Sequence, residues 1–180
     1  MAVENGTIIG AGSDAVGAMY AAYDIAEQVE MADAGDGLFS AVQPSEKVPF
    51  MSLRAVNPFF HVEALQDQDS WYYDEEFWAS YLDELSWDRY NLLDIHAMYG
   101  LISTFFPNCY LYLLKSDEFP EVGIDAEQAA KNLAMFNRII SMAKDRGLRT
   151  SLMSYHASWR KTHDDPAPHP SEEELMKYTR

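Results

Sequence analysis

The chain has 180 residues, 48% hydrophobic and 13% aromatic, which excludes a disordered polypeptide and leaves room for one full domain or a small domain with part of a second. Its 13 basic and 29 acidic residues give a net charge of -16, a mean field that opposes nucleic acid and anionic membranes, so neither is expected as a partner. The single cysteine, Cys109, excludes an intramolecular disulfide and a cysteine-built zinc site.

The N-terminus, MAVENGTIIG, lacks a basic region ahead of a long apolar stretch, so no signal peptide is expected. No apolar run approaches the roughly 20 residues that span a bilayer. The compartment is left open. Thr7 to Ile9 reads as a strand, and Val16, Met19, Tyr20, Tyr23 and Ala26 then fall on one helical stripe. Between them Gly10, Gly12 and Gly17 are spaced G-x-G-x-x-x-x-G, which fails the G-x-G-x-x-G of a dinucleotide site, and no acidic residue follows on a second strand. These glycines are therefore read as a tight structural turn.

Residues 32 to 47 (ADAGDGLFSAVQPSEK) are loop-like and divide a small N-terminal α/β unit, 1 to 47, from a longer unit, 48 to 180. In the longer unit VPFMSLRAV (48 to 56) reads as a strand. A helix follows, with Asp74, Glu75 and Glu76 at its start and an apolar stripe of Phe77, Trp78, Tyr81, Leu82 and Leu85. NLLDIHAMY (91 to 99) is a second strand whose Leu92, Leu93 and Ile95 suit burial on both faces. After a long loop, Ala129, Leu133, Phe136, Ile140 and Ala143 share a helical face, with Arg146 near the last carbonyls and Gly147 placed to close the helix. RTSLMSYHA (149 to 157) is a third strand, and SEEELMKYTR begins another helix with a Ser171 to Glu174 capping box. Strand, helix, strand, helix, strand implies an α/β fold with parallel pairing.

Arg54 stands in an apolar strand with Asn57 and His61 just beyond it. It is either a strut paired to a carboxylate or a group that grips a hydroxylated or anionic ligand. His96 and Tyr99 end the second strand, and His156 and Trp159 end the third. In a parallel assembly such strand ends share one face where ligand-binding groups collect. Trp71, Tyr72 and Tyr73, ahead of the helix, are open to sugar stacking, whereas Trp78 is assigned to the core. His156, His163, Asp164, Asp165 and His169 lie in a proline-rich loop without ligand spacing, so no metal is expected, and no cofactor. Asp117, Glu118 and Glu121 read as solvated loop acids, and no serine or cysteine nucleophile motif is present.

LDELSWDRYNLLDIHAMY, SDEFPEV and AKNLAMFNRIISMAKDRGLRTSLMSYH, in that order, resemble the start of the catalytic barrel of glycoside hydrolase family 20, the β-N-acetylhexosaminidases, and of related glucuronidase-like proteins. NGTIIGAGSDAVGAMYAAYDIAEQ resembles the small α/β domain ahead of that barrel. The resemblance implies a small α/β domain followed by an incomplete (β/α)8 barrel of the TIM type. It also implies that Arg54 holds sugar hydroxyls and that His96 faces the sugar pocket, with His156 and Trp159 at the neighbouring strand end. The family's Thr-Asp pair after the histidine is replaced by Ala97 and Met98, so the substrate is expected to differ from N-acetylhexosamine. Its catalytic Asp-Glu pair belongs to a later strand, beyond Arg180. The chain is thus expected to be a glycosidase-like portion that binds carbohydrate but lacks the acid pair. The competing expectations are a non-catalytic carbohydrate-binding or assembly module, and self-association through exposed sheet edges.

Overall fold

A strand persists only where a partner backbone takes up its hydrogen bonds, and this rule sets the element boundaries in the computed structural model, which describes residues 1–32, 40–99, 110–115, 117, 120 and 124–153. At the N-terminus β1 (Ala2–Glu4) pairs antiparallel with β2 (Thr7–Ile9). The two residues between them, Asn5 and Gly6, have φ of 50° and 76°, the conformation a two-residue hairpin requires of both. The strand β1 was not expected from the sequence; Asn-Gly between short apolar runs is its signal. The helix α1 (Ala15–Glu30) follows, with Asp14 as N-cap accepting from the Gly17 N–H at 2.7 Å. A Cβ on Gly12 would stand 2.1 Å from the Ala18 nitrogen, so this glycine lets the chain cross close over the first turn of the helix. The ends of this unit are tied together, because Met1 and Ser45 exchange two backbone bonds of 2.8 and 3.2 Å.

The expected strand over 48 to 56 is corrected to β3 (Ala55–Val56), continued beyond Asn57 and Pro58 by β4 (Phe59–His61). Both pair parallel with β5 (Leu92–Tyr99), Ala55 opposite Leu92 and Phe59 opposite His96. That common register makes them two pieces of one strand, interrupted where proline lacks a donor. Residues 48 to 54 have no length of β5 beside them, since β5 begins level with Ala55; Val48, Phe50, Met51 and Leu53 are left exposed there. On the other side of β5 lies β6 (Arg149–Met153), also parallel. The expected third strand is described only this far, and the expected C-terminal helix lies outside the described residues.

Two helical connections cover one face of this sheet. After β4 come α2 (Val62–Gln66), a short 3-10 turn (Trp71–Tyr73) and α3 (Glu75–Trp87). After β5 come α4 (Tyr110–Leu113) and α5 (Ala126–Asp145). Trp78, Leu82 and Leu85 of α3 and Phe136, Ile139 and Ala143 of α5 form one core with Phe60, Leu93 and Ile95. Each leucine, isoleucine or phenylalanine among them, once fully buried, contributes roughly 1.5–3 kcal/mol. The Trp78 indole N–H is satisfied by the Tyr72 carbonyl at 3.0 Å. Burial of the second strand is one-sided rather than two-sided: Leu93 and Ile95 have 0% and 1% of their surface exposed, while Leu92, Asp94 and His96 point away from the helices and are half-buried. Phe77, placed on the buried stripe by its spacing, is exposed at the edge of α3.

α3 and α5 close in the same way. At the end of α3, Arg89 N–H donates to Ser86 O and Tyr90 N–H to Leu85 O; at the end of α5, Gly147 N–H donates to Lys144 O and Leu148 N–H to Ala143 O. Arg89 and Gly147 take the left-handed position, with φ of 66° and 76°. Against these two closures, at the amino ends of the parallel strands, α1 is docked. Tyr20 donates to the Tyr90 carbonyl, Tyr23 meets Ser86 Oγ at 3.2 Å, and Val16 and Met19 pack on Gly147. The Arg89 guanidinium donates to Asp24 and Glu27 at 2.8 Å and lies over the rings of Tyr20, Tyr23 and Trp87.

Candidate functional site

The parallel register stacks in layers the side chains of the sheet face that no described helix covers, the helix-free face of the described residues. Asp94 pairs with Ser151 on β6, and the common register of β3 and β4 sets Asn57 level with it on the other side. Asp94 accepts from Asn57 Nδ2 at 2.9 Å through Oδ2, and from the Ser151 hydroxyl through Oδ1. Each of the three strands thus contributes one polar side chain to a single cross-strand chain of bonds. The next layer toward the carboxyl ends holds Phe59 and His96, whose rings meet edge to face at 5.1 Å. His96 Nε2 stands 3.9 Å from Asp94 Oδ2, and the two side chains are 13% and 22% exposed.

This arrangement has a definite chemistry. A Ser-His-Asp relay requires the histidine between the hydroxyl and the carboxylate, but here the carboxylate stands between the serine and the histidine, so nucleophilic acyl transfer does not fit. One carboxylate, one amide, one hydroxyl and an imidazole beside a half-exposed aromatic ring are instead groups of the kind that can hydrogen-bond and stack with a hydroxylated molecule. Among the described residues no group of three or more His, Cys, Asp or Glu side chains could hold a metal ion, and no helix is long and apolar enough to cross a membrane.

The residues singled out in the sequence are not brought together as a set. Arg54 and His96 lie at opposite ends of the sheet. Arg54 O accepts from the Asn91 N–H below β5, whereas His96 is level with Phe59, five residues further along the first strand. The Arg54 guanidinium donates from Nε to Arg89 O at 2.6 Å and from a terminal nitrogen to Met51 O at 2.7 Å, and lies over the Tyr20 ring. Its bonds are to main-chain carbonyls on the side of docked α1, which corrects both the carboxylate-strut reading and a shared mouth with His96. His156 and Trp159 lie outside the described residues. Of Trp71 to Tyr73, Tyr72 is in the core and Trp71 packs on Phe60, Phe77 and Trp78 with a partly exposed edge.

Asp94, Ser151 and Phe59 are absent from the residues proposed from sequence. The signal for Asp94 was its alternation with Leu93 and Ile95, which sets it with His96 on the face opposite the core. Ser151 carried no local signal, since its part depends on the register of two strands nearly sixty residues apart.

No known protein family and no curated protein matches the chain. Among solved structures it is similar to a GH138 enzyme targeting pectin rhamnogalacturonan II, with a TM-score of 0.62 and 22% sequence identity over 81% of this chain. The chain spans only 17% of that enzyme's length. At this identity the likeness is one of fold: a mixed α/β unit with a parallel sheet, of the kind found in a glycoside hydrolase. It is a likeness to family 138 and does not single out family 20.

Proposed function

We propose that the chain forms the first three β/α units of a (β/α)8 barrel in a glycoside-hydrolase-like protein, with residues 1 to 47 as a small unit against the amino ends of the strands. In this reading the helix-free face is the barrel interior, and Asn57, Phe59, Asp94, His96 and Ser151 bind a saccharide there. The observation that carries it is the polar layer joining all three strands on the face opposite the described helices. An inward carboxylate braced from both neighbouring strands suits a ligand-lined interior better than an apolar packing interface. His156 and Trp159 belong to the same proposal as wall residues at the third strand end.

Pectic oligosaccharides are the first ligands to try, since the structural neighbour targets that polymer. Cleavage by paired carboxylates needs two acids flanking the bond. Among the described residues the inner face carries one, Asp94, so these residues are assigned to binding and positioning and the acid pair to other parts of the barrel. Calorimetric titration with rhamnogalacturonan II oligosaccharides tests the assignment. Binding that falls about tenfold or more in Asp94→Ala, the effect of losing hydrogen bonds to a charged group, supports it. Equal binding by Asp94→Ala, or no binding to the native chain, refutes it. The 180-residue chain by itself is expected to leave aryl glycosides uncleaved.

A further inference from the structure

Trp71 to Tyr73, open to sugar stacking by their place in the sequence, are spent on packing. Tyr72 has no exposed surface, Tyr73 meets its ring edge to face, and Trp71 lies against Phe60, Phe77 and Trp78 on the helix-covered side of the sheet. A ring that the other side does present is Phe59. Alternation along β4 sends Phe60, fully buried, into the core and Phe59 to the opposite face, where 45% of its surface is exposed. A lone exposed phenylalanine needs no explanation. This one stands level with His96 and one layer above Asp94, toward the carboxyl ends of the strands. The Asp94 side chain is itself partly exposed, and the bonds it accepts from Asn57 Nδ2 and the Ser151 hydroxyl take one lone pair on each oxygen, leaving a second on each. An open aromatic ring and an open acceptor braced from both neighbouring strands therefore share one face of the sheet, about 6–7 Å apart along the strands, the rise of two residues.

We propose that Phe59 is the stacking platform of the saccharide site, taking the apolar C–H face of one sugar ring while a hydroxyl at the edge of that ring donates to Asp94. The π face of phenylalanine carries partial negative charge and attracts the weakly positive hydrogens of C–H bonds, and stacking removes apolar surface of both partners from water. The inference rests on the saccharide-binding reading and adds to it the residue that reads the shape of the ring. It names the ligand by class: a sugar unit whose C–H groups gather on one face, with an unsubstituted hydroxyl on the edge turned toward the amino ends of the strands. Phe59 touches the ligand and takes no part in bond cleavage.

The test is an NMR titration of the isotope-labelled 180-residue chain with rhamnogalacturonan II oligosaccharides, following the C–H protons of the sugar and the ring protons of Phe59. Protons seated over an aromatic face are moved upfield by its ring current. On binding to the native chain, the C–H protons of one sugar unit are expected to move upfield and to show nuclear Overhauser contacts with the Phe59 ring. Phe59→Leu keeps an apolar side chain at a position already half exposed and removes the π face. That variant, checked for folding by unchanged α5 amides, is expected to abolish the upfield shift and to bind about three- to tenfold more weakly, the range for an aromatic contact beyond its buried area. If it does not fold, the shifts and contacts in the native chain decide alone. Oligosaccharide that binds with no upfield shift and no contact to the Phe59 ring, or a folded Phe59→Leu with unchanged affinity, overturns the inference, and the Asp94→Ala titration then decides the binding reading by itself. No binding to the native chain overturns both.

Discussion

Asn132 has no exposed surface, yet its amide is the meeting point of three elements. Its Nδ2 donates to Tyr112 O at 2.9 Å, its Oδ1 accepts from the Tyr73 hydroxyl and from Gln128 Nε2, and its backbone carbonyl accepts from the Tyr72 hydroxyl at 2.7 Å. Replacing it by alanine removes its bonds to the Tyr112 carbonyl, the Tyr73 hydroxyl and Gln128 from the interior. Asn132→Ala should lower stability by about 2–3 kcal/mol in urea unfolding, with unchanged denaturant dependence. Burial of Tyr72 and Tyr73 pushes both phenols upward, so these hydroxyls remain donors throughout the usual pH range. At Asp24 burial alone would raise the carboxyl, but hydrogen bonds from Arg89 and Lys47 outweigh it and hold the group below the usual carboxylate range. A folded value below the unfolded one means that the contribution is complete above about pH 4 and is lost as pH falls through the folded value. Asp24→Asn should therefore flatten the acid side of the stability profile and leave its neutral side parallel to that of the native chain.

Among the elements, the closures of α3 and α5 do more than end two helices, because they form the seat of α1. Gly147 adopts a left-handed conformation, and a Cβ there would stand 3.1 Å from both the Met19 and Val16 side chains. Gly147→Ala combines backbone strain with crowding of the docked helix, and a loss of about 1–2 kcal/mol is expected, read from the urea midpoint. Gly147 was legible because a glycine after a run of helical periodicity has few other uses. Trp78, Leu82 and Leu85 were legible from their spacing for a similar reason: helix periodicity is a local property. The limits of the first strand were not, because Val48 to Leu53 is as apolar as any strand and only the register against β5 decides where pairing starts. Arg54 was misplaced by the same ignorance. Without the register, its position at the lower rather than the upper end of the sheet could not be read from an apolar run. His96 was legible as a strand-end residue, but Asp94 was not, because a strand read as buried on both faces gives its alternation with Leu93 and Ile95 no meaning.

At the scale of the whole molecule, a sheet with helices on one face leaves a strand edge and an extended apolar segment on the outside. Residues 55 to 61 pair with β5 alone among the described strands, and Phe50, with its whole side chain exposed, precedes them. We propose that this edge drives self-association, opposed by the net charge of -16. Because salt screens the repulsion and spares the apolar contact, sedimentation velocity should show association rising between low and high ionic strength. Phe50→Asp should suppress it at both; association that weakens with salt would point to an ionic contact instead. All these surfaces matter to function only if the helix-free face is where ligand sits. A crystal structure of the chain with a rhamnogalacturonan II oligosaccharide tests that most directly. The expected density is a sugar ring within hydrogen-bond reach of Asn57, Asp94 or His96 on the inner face of the parallel sheet. A ligand seated at the opposite end, among Arg54, Tyr20 and Arg89, would contradict the account.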